Sequence, residues 1–256
     1  MTIKSMLFEK LTAGEVVVGG WSTLGQSALC ELYARAGYSA VTLDTQHGQI
    51  TDEELREAVV SLAHCGVDPV MRIRVGDFAK ASWALDLGVH AIIAPMINTV
   101  EDAKKLVEFT KYPPVGARSY GPLGAARLQG TDEQTYFKDA NSRILCLAMI
   151  ESEEALCNLD DIIKVEGLDG VFVGPSDLSI SITSGVSVDP FSRRSETLHE
   201  NIAEKAVEHG KIAGIYAITP KHARDCAKAG YTFICYGTDV VLFNEAASAA
   251  ANVLAE

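Results

Sequence analysis

Eight short runs of apolar or β-branched residues, separated by amphipathic stretches, constrain this chain more than any other feature. They are "EVVVGGWS" (15–22), "AVTLDTQ" (40–46), "DPVMRIR" (68–74), "AIIAPM" (91–96), "RILCLAMIE" (143–151), "DGVFVGP" (169–175), "IAGIYAI" (212–218) and "TFICYGT" (232–238). A strand with one wet face alternates apolar and polar residues, whereas a continuously apolar strand is buried on both faces, as in a parallel sheet covered by helices. Between the runs, "TDEELREAVVSLAHCG", "TVEDAKKLVEFTK" and "SEEALCNLDDIIKVEG" carry helical spacing. Thr51 with Glu54 three residues later reads as a capping box. Gly37, Gly66, Gly88, Gly167, Gly210 and Gly230 stand where helices are expected to end. Eight strand–helix units in 256 residues predict one (β/α)8 TIM barrel spanning residues 1–256 as a single domain. An open, doubly wound sheet is the competing layout, but "GGWSTLG" after the first strand lacks the glycine-rich dinucleotide fingerprint. Residues 113–141 and 176–194 break the alternation, and connections this long are lids, interface elements or solvated loops.

The balance of residues narrows the partners. A net charge of −12 excludes a nucleic-acid partner, because phosphate binding needs clustered Lys and Arg. No stretch approaches the ~20 uncharged apolar residues of a membrane span, and "MTIKSMLFEKL" is too charged for a secretory signal. The six cysteines show no CxxC spacing and read as free thiols in a reducing compartment, so a soluble cytoplasmic protein is expected.

In a barrel of this kind chemistry collects where the strands end. The ends offer Trp21 and Ser22; Asp44, Gln46 and His47; Arg72 and Arg74; Glu151; Gly174, Pro175, Ser176 and Asp177; Tyr216; and Tyr236 with Asp239. Glu151 and Asp177 each follow an apolar run, so both carboxylates sit at the core's edge, where they repel unless a cation lies between them. A hard divalent ion completed by water or substrate oxygens meets that demand. The alternative is that each acid caps the helix after it. Arg72 and Arg74 point the same way, and a guanidinium there suits a carboxylate, a phosphate or a developing oxyanion, or else a structural pair with Asp44. Asp86 sits near a helix C-terminus, where an acid opposes the helix dipole, which suggests a specific partner such as a histidine. His64, His90, His199, His209 and His222 read as surface or packing residues. No lysine ends a strand at the predicted rim, which disfavours a Schiff base, and no GxSxG elbow or paired nucleophilic cysteine is present. Metal-assisted activation of a small oxyacid is what remains.

At "LDTQHG", "PVMRI", "ALDLG", "IIAPM", "KYPPVGARS", "MIES" and "VEGLDGVFVGPSDLS", almost end to end, the sequence resembles the HpcH/HpaI aldolase family, metal-dependent class II pyruvate aldolases on a (β/α)8 barrel. The resemblance implies that Glu151 and Asp177 hold Mg²⁺ or Mn²⁺, with Co²⁺ or Zn²⁺ as alternatives, and that a keto-acid donor chelates the ion. It implies that backbone N–H groups around Gly174, Pro175, Ser176 and Asp177 take the donor carboxylate and that Arg72 contacts the keto oxygen. His47, oriented by Asp86, would handle the proton at the aldehyde end, with Trp21 and Tyr216 lining the pocket. The partners implied are a small keto acid and an aldehyde, and a second copy of the chain. A homohexamer is expected, with the C-terminal helix (about 239–256) packing on a neighbour and Arg118 and Pro122 reaching towards a neighbouring pocket.

The chain departs from many relatives at Gln46, where a Glu is common, and at Met149, where a Gln is common. The expected activity is reversible cleavage of a 2-keto-4-hydroxy acid to pyruvate or hydroxypyruvate and an aldehyde. Alternatives sharing the enolate are an oxaloacetate decarboxylase, a C–C bond-forming synthase or a citryl-type lyase; a non-catalytic oxyacid binder belongs to a different class.

Overall fold

The computed structural model describes residues 5–253, so the last three residues of the predicted C-terminal helix lie outside the described residues. Eight strands form a closed, all-parallel barrel in sequence order: β1 Val17–Ser22, β2 Ala40–Asp44, β3 Asp68–Arg72, β4 Ala91–Ala94, β5 Leu145–Ile150, β6 Gly170–Val173, β7 Ile212–Ala217 and β8 Phe233–Thr238. Each end falls within two residues of its predicted run. The helices are α1 Met6–Thr12, α2 Ser27–Arg35, α3 Asp52–His64, α4 Phe78–Leu87, α5 Val100–Thr110, α6 Leu123–Leu128, α7 Glu133–Arg143, α8 Glu153–Cys157, α9 Leu159–Ile162, α10 Pro175–Ile182, α11 Arg193–Glu208, α12 Pro220–Lys228 and α13 Asp239–Ala251. Both irregular stretches contain helix. The first carries α6 and most of α7, and the second carries most of α10 and the start of α11.

The strands are apolar throughout because each face packs against something different. One parity, including Val41, Leu43, Met71, Ile92, Cys146 and Val171, joins the layer between sheet and helices. The other, including Val17, Ala40, Val70, Ile93, Leu147, Phe172 and Phe233, fills the barrel interior. Phe172 fits inside because its register partner on the adjoining strand β7 is Gly214, where a Cβ would lie 2.5 Å from the Phe172 ring. Leu7 and Leu11 of α1 belong to the interior cluster and close the barrel's N-terminal end. The capping box at the start of α3 is present, with Thr51 and Glu54 each bonding the other's backbone N–H.

Candidate active site

Strand parity decides which side chains meet. Continuing the interior set of each strand upward places Trp21, Asp44, Arg72, Met149, Glu151, Gly174 and Tyr216 at the C-terminal mouth. There the chain leaves a cavity of about 270 Å³ lined by Trp21, Asp44, His47, Arg72, Met149, Tyr216 and the run Gly174–Asp177. Most of the predicted rim residues are thus brought together.

Asp44 organises one side. Its carboxylate accepts from Arg72 Nε at 2.9 Å and Nη2 at 2.6 Å, from Trp21 Nε1 at 3.3 Å and from the backbone N–H groups of Gln46 and His47. The last two bonds fold the turn that carries the chain out of β2. Burial pushes the Asp44 carboxyl up, but the Arg72 guanidinium and these donors hold it below the usual carboxylate range. Arg72 also lies over the Trp21 ring, 5.0 Å from its centroid, and Trp21 packs edge-on against Tyr216. Arg72 therefore combines the two roles that the sequence left divided: it pairs with Asp44 and lines the cavity. Its Nη1 remains as the donor for a ligand. Arg74, expected to take one of those roles, instead bonds the Thr45 carbonyl through Nε.

Glu151 is only 3% exposed, and its one hydrogen bond among the described residues is from the backbone N–H of Met96 to Oε1, at 2.7 Å. Burial, with the charge of Asp177 adding to it, pushes this carboxyl up to about 7. The other oxygen, Oε2, opens towards Gly174, where a Cβ would overlap it. Helix capping explains neither acid: Ser152 caps α8, Gly174 occupies the N-cap of α10, and Asp177 lies exposed in that helix's first turn. No group of three or more His, Cys, Asp or Glu among the described residues is placed to hold a metal. Two neighbouring carboxylates, of which Glu151 has one hydrogen bond among the described residues, fit a hard divalent ion that takes its remaining oxygens from water and substrate.

Other placements differ from expectation. His47 is exposed at the mouth, and its ring makes no hydrogen bond among the described residues. Asp86, expected to orient it, pairs instead with buried Arg118 at 2.6 Å. The reason is direction: α4 runs back antiparallel to β3, so its last turn lies at the N-terminal end of the barrel, roughly 15 Å from the mouth. Arg118 and Pro122 lie at that end with it. Gln46 keeps a buried Oε1 with no partner among the described residues, and Met149 puts an apolar side chain on the cavity floor. Met96 was not foreseen. It adopts a left-handed φ of 53°, a conformation uncommon outside glycine, and nothing in "IIAPM" signals that its N–H would hold Glu151. Asp239 is structural: it accepts from Ser22, Thr23 and Leu24, tying the start of α13 to the turn after β1.

Comparison with known proteins follows the same lines. The family model described as HpcH/HpaI aldolase/citrate lyase matches residues 18–246. A 2-keto-3-deoxy-L-rhamnonate aldolase from Salmonella gallinarum is 33% identical over 93% of this chain and 88% of its own. Among solved structures, an HpcH/HpaI aldolase from Desulfitobacterium hafniense superposes with a TM-score of 0.91 at 25% identity, covering 99% of this chain and 98% of that one. The citrate synthase SbnG does so with a TM-score of 0.86 at 27% identity, covering 96% of each.

Proposed function

Since the chain belongs to the HpcH/HpaI aldolase/citrate lyase family and is a class II aldolase, an aldehyde-lyase, we propose that it reversibly cleaves 2-keto-4-hydroxy acids, 2-keto-3-deoxy sugar acids foremost. The products are pyruvate, or hydroxypyruvate from a 3-hydroxylated substrate, and an aldehyde. The observation that carries this reading is Glu151, a buried carboxyl pushed up to about 7 whose second oxygen lies against Gly174, a residue of the cavity wall. The name of the Salmonella gallinarum relative supports the substrate class.

Glu151 and Asp177 would hold Mg²⁺ or Mn²⁺, which when bound supplies Lewis-acid polarisation of the substrate's 2-keto oxygen. Free N–H groups in the first turn of α10, at Ser176 and Asp177, face the same cavity and suit the substrate carboxylate. Arg72, held in one orientation by Asp44 and by the Trp21 face, places Nη1 as a fixed donor for the charge that develops on the 2-keto oxygen as the C3–C4 bond breaks. His47 takes the proton from the C4 hydroxyl, so that the bonding pair of C3–C4 moves to the donor fragment while the aldehyde carbonyl forms. A proton then returns to C3. Trp21, Tyr216 and Met149 exclude water from the donor fragment. Asp86 lies at the wrong end of its own barrel to orient His47, so an orienting acid would have to come from another copy. The exposed Val240, Val241 and Phe243 on α13 support assembly of copies, and six free cysteines suit a reducing cytosol.

The test is to add divalent metal and pyruvate to the purified protein with a panel of hydroxyaldehydes, and to follow cleavage of 2-keto-3-deoxy sugar acids in reverse. Aldol products that vanish with EDTA and with Glu151→Ala support the reading. Turnover that survives exhaustive EDTA treatment, or that Glu151→Ala leaves intact, overturns it.

A further inference from the structure

Tyr216 stands on the inward face of β7, near the strand's end, and its half-buried ring lines the mouth cavity. Two contacts fix it. The ring meets Trp21 edge-on with centroids 5.3 Å apart, and the backbone N–H of Thr238, another residue of the cavity wall, donates to the phenol oxygen. Burial, with the nearby Cys235 thiol and Tyr236 phenol adding to it, pushes Tyr216 up to about 12, so the phenol keeps its proton near neutral pH. A phenol both accepts and donates. The chain supplies a donor for its oxygen, yet no group among the described residues accepts its proton. The sealed polar atoms without a partner among the described residues belong to Gln46, Tyr112, Arg118 and His199. The Tyr216 oxygen is not one of them and keeps surface on the cavity that its ring lines.

The neighbouring polar groups are occupied. Trp21 Nε1 donates to Asp44, Thr23 Oγ1 donates to Asp239 at 2.7 Å, and Thr238 Oγ1 accepts the Val241 N–H at the start of α13. A 2-keto acid in this mouth has a trigonal C2, whose three substituents fan out in one plane. With the carboxylate on the first turn of α10, after β6, and the keto oxygen towards Arg72 on β3, C3 turns to the remaining sector of the barrel. There β7, β8 and β1 place Tyr216, Thr238 and Trp21. A polar substituent on C3 therefore meets the phenol proton.

We propose that Tyr216 is a specificity-determining residue whose O–H donates to a hydroxyl on C3 of the donor, so that the site favours 3-hydroxylated substrates, and hydroxypyruvate as the donor, over apolar donors of the same size. The assignment rests on the aldolase reading above and selects between the two donors that it allows. The physical reason is the unmade bond: a methyl group in the same place strips water from the phenol and returns no acceptor.

The test uses the full chain with Mn²⁺ and acetaldehyde, and compares hydroxypyruvate with 2-oxobutanoate, which carries a methyl where the first carries a hydroxyl. Tyr216→Phe removes only the phenol oxygen and keeps the ring against Trp21. It should lower the ratio of kcat/KM for hydroxypyruvate over 2-oxobutanoate by about three- to tenfold, the worth of one neutral hydrogen bond, with most of the change in the KM for hydroxypyruvate. Calorimetric titration of each donor into the Mn²⁺-loaded protein, without acceptor, should show the same shift in the ratio of Kd values. Ratios that Tyr216→Phe leaves at their wild-type values overturn the proposal. So does a shift that appears instead between glycolaldehyde and acetaldehyde with pyruvate as donor, because the phenol then serves the acceptor. Absence of aldol product from every donor overturns the aldolase reading, whereas the calorimetric ratio needs no turnover and still decides whether Tyr216 reads the C3 hydroxyl.

Discussion

The two ends of the barrel both bury ionisable side chains, and they treat them oppositely. At the N-terminal end, Asp68 accepts from the Ser5 hydroxyl, the Leu7 N–H and His90 Nδ1, and His90 is met on its other nitrogen by Gln129. Lys111 is surrounded in the same way, by the carbonyls of Asn141 and Ile144 and the carboxylate of Asp169. At the C-terminal mouth, Arg72 grips Asp44 through Nε and Nη2 and keeps Nη1 to spare, while Glu151 has one backbone N–H and otherwise faces another acid. A buried charge whose partners are all supplied by the chain is architecture, because the desolvation it costs is offset within the fold. One whose partners are missing is stable only when something from outside completes it.

That contrast can be broken at several points. The largest effect is expected for Glu151→Gln, which should lower kcat/KM by on the order of 10³-fold or more while leaving the melting temperature unchanged or raised, since a buried carboxyl is removed. Steady-state assays beside calorimetry check both. Asp68→Ala should do the reverse, costing about 3 kcal/mol of stability by leaving His90, Ser5 and Leu7 without an acceptor, with kcat/KM unchanged in the folded fraction. Denaturant titration reads the first and activity per folded molecule the second. Arg72→Lys keeps the charge but loses the fork that grips Asp44, so a fall in kcat/KM of roughly 10²-fold is expected.

The smallest effect is one of pH. The folded Glu151 carboxyl, raised to about 7, holds its proton to higher pH than in the unfolded chain. The metal-free protein therefore loses stability as pH rises from the ordinary carboxylate range to about 7. By the same linkage, an added divalent ion must displace that proton below pH 7, so apparent metal affinity should fall by up to about tenfold per pH unit there. Calorimetry in buffers of different ionisation enthalpy measures the released proton. Release of none at pH 6 would show that Glu151 is not a ligand.

Much of this was legible in advance. Eight apolar runs could be counted because a strand buried on both faces has no polar positions to confuse its period. Arg72 and Glu151 stood out because a charge ending such a run has nowhere to go except the mouth. Asp86 was misplaced because local sequence shows a helix but not which end of the barrel its last turn reaches. His199 packs in the interior, one of the two readings the sequence offers, but nothing in "SETLHENIAEKA" reveals that its Nε2 finds no partner among the described residues.

The sequence by itself therefore determined the barrel, its closure from eight repeated units and the acids, arginine and histidine at its mouth, because those follow from periodicity and polarity along the chain. Tertiary structure alone decided that Asp44 takes Arg72, that Met96 holds Glu151, and that Asp86 turns to Arg118 at the far end. Hydrogen bonds and charge pairs depend on distances of a few ångströms between residues tens of positions apart, and only packing sets those distances.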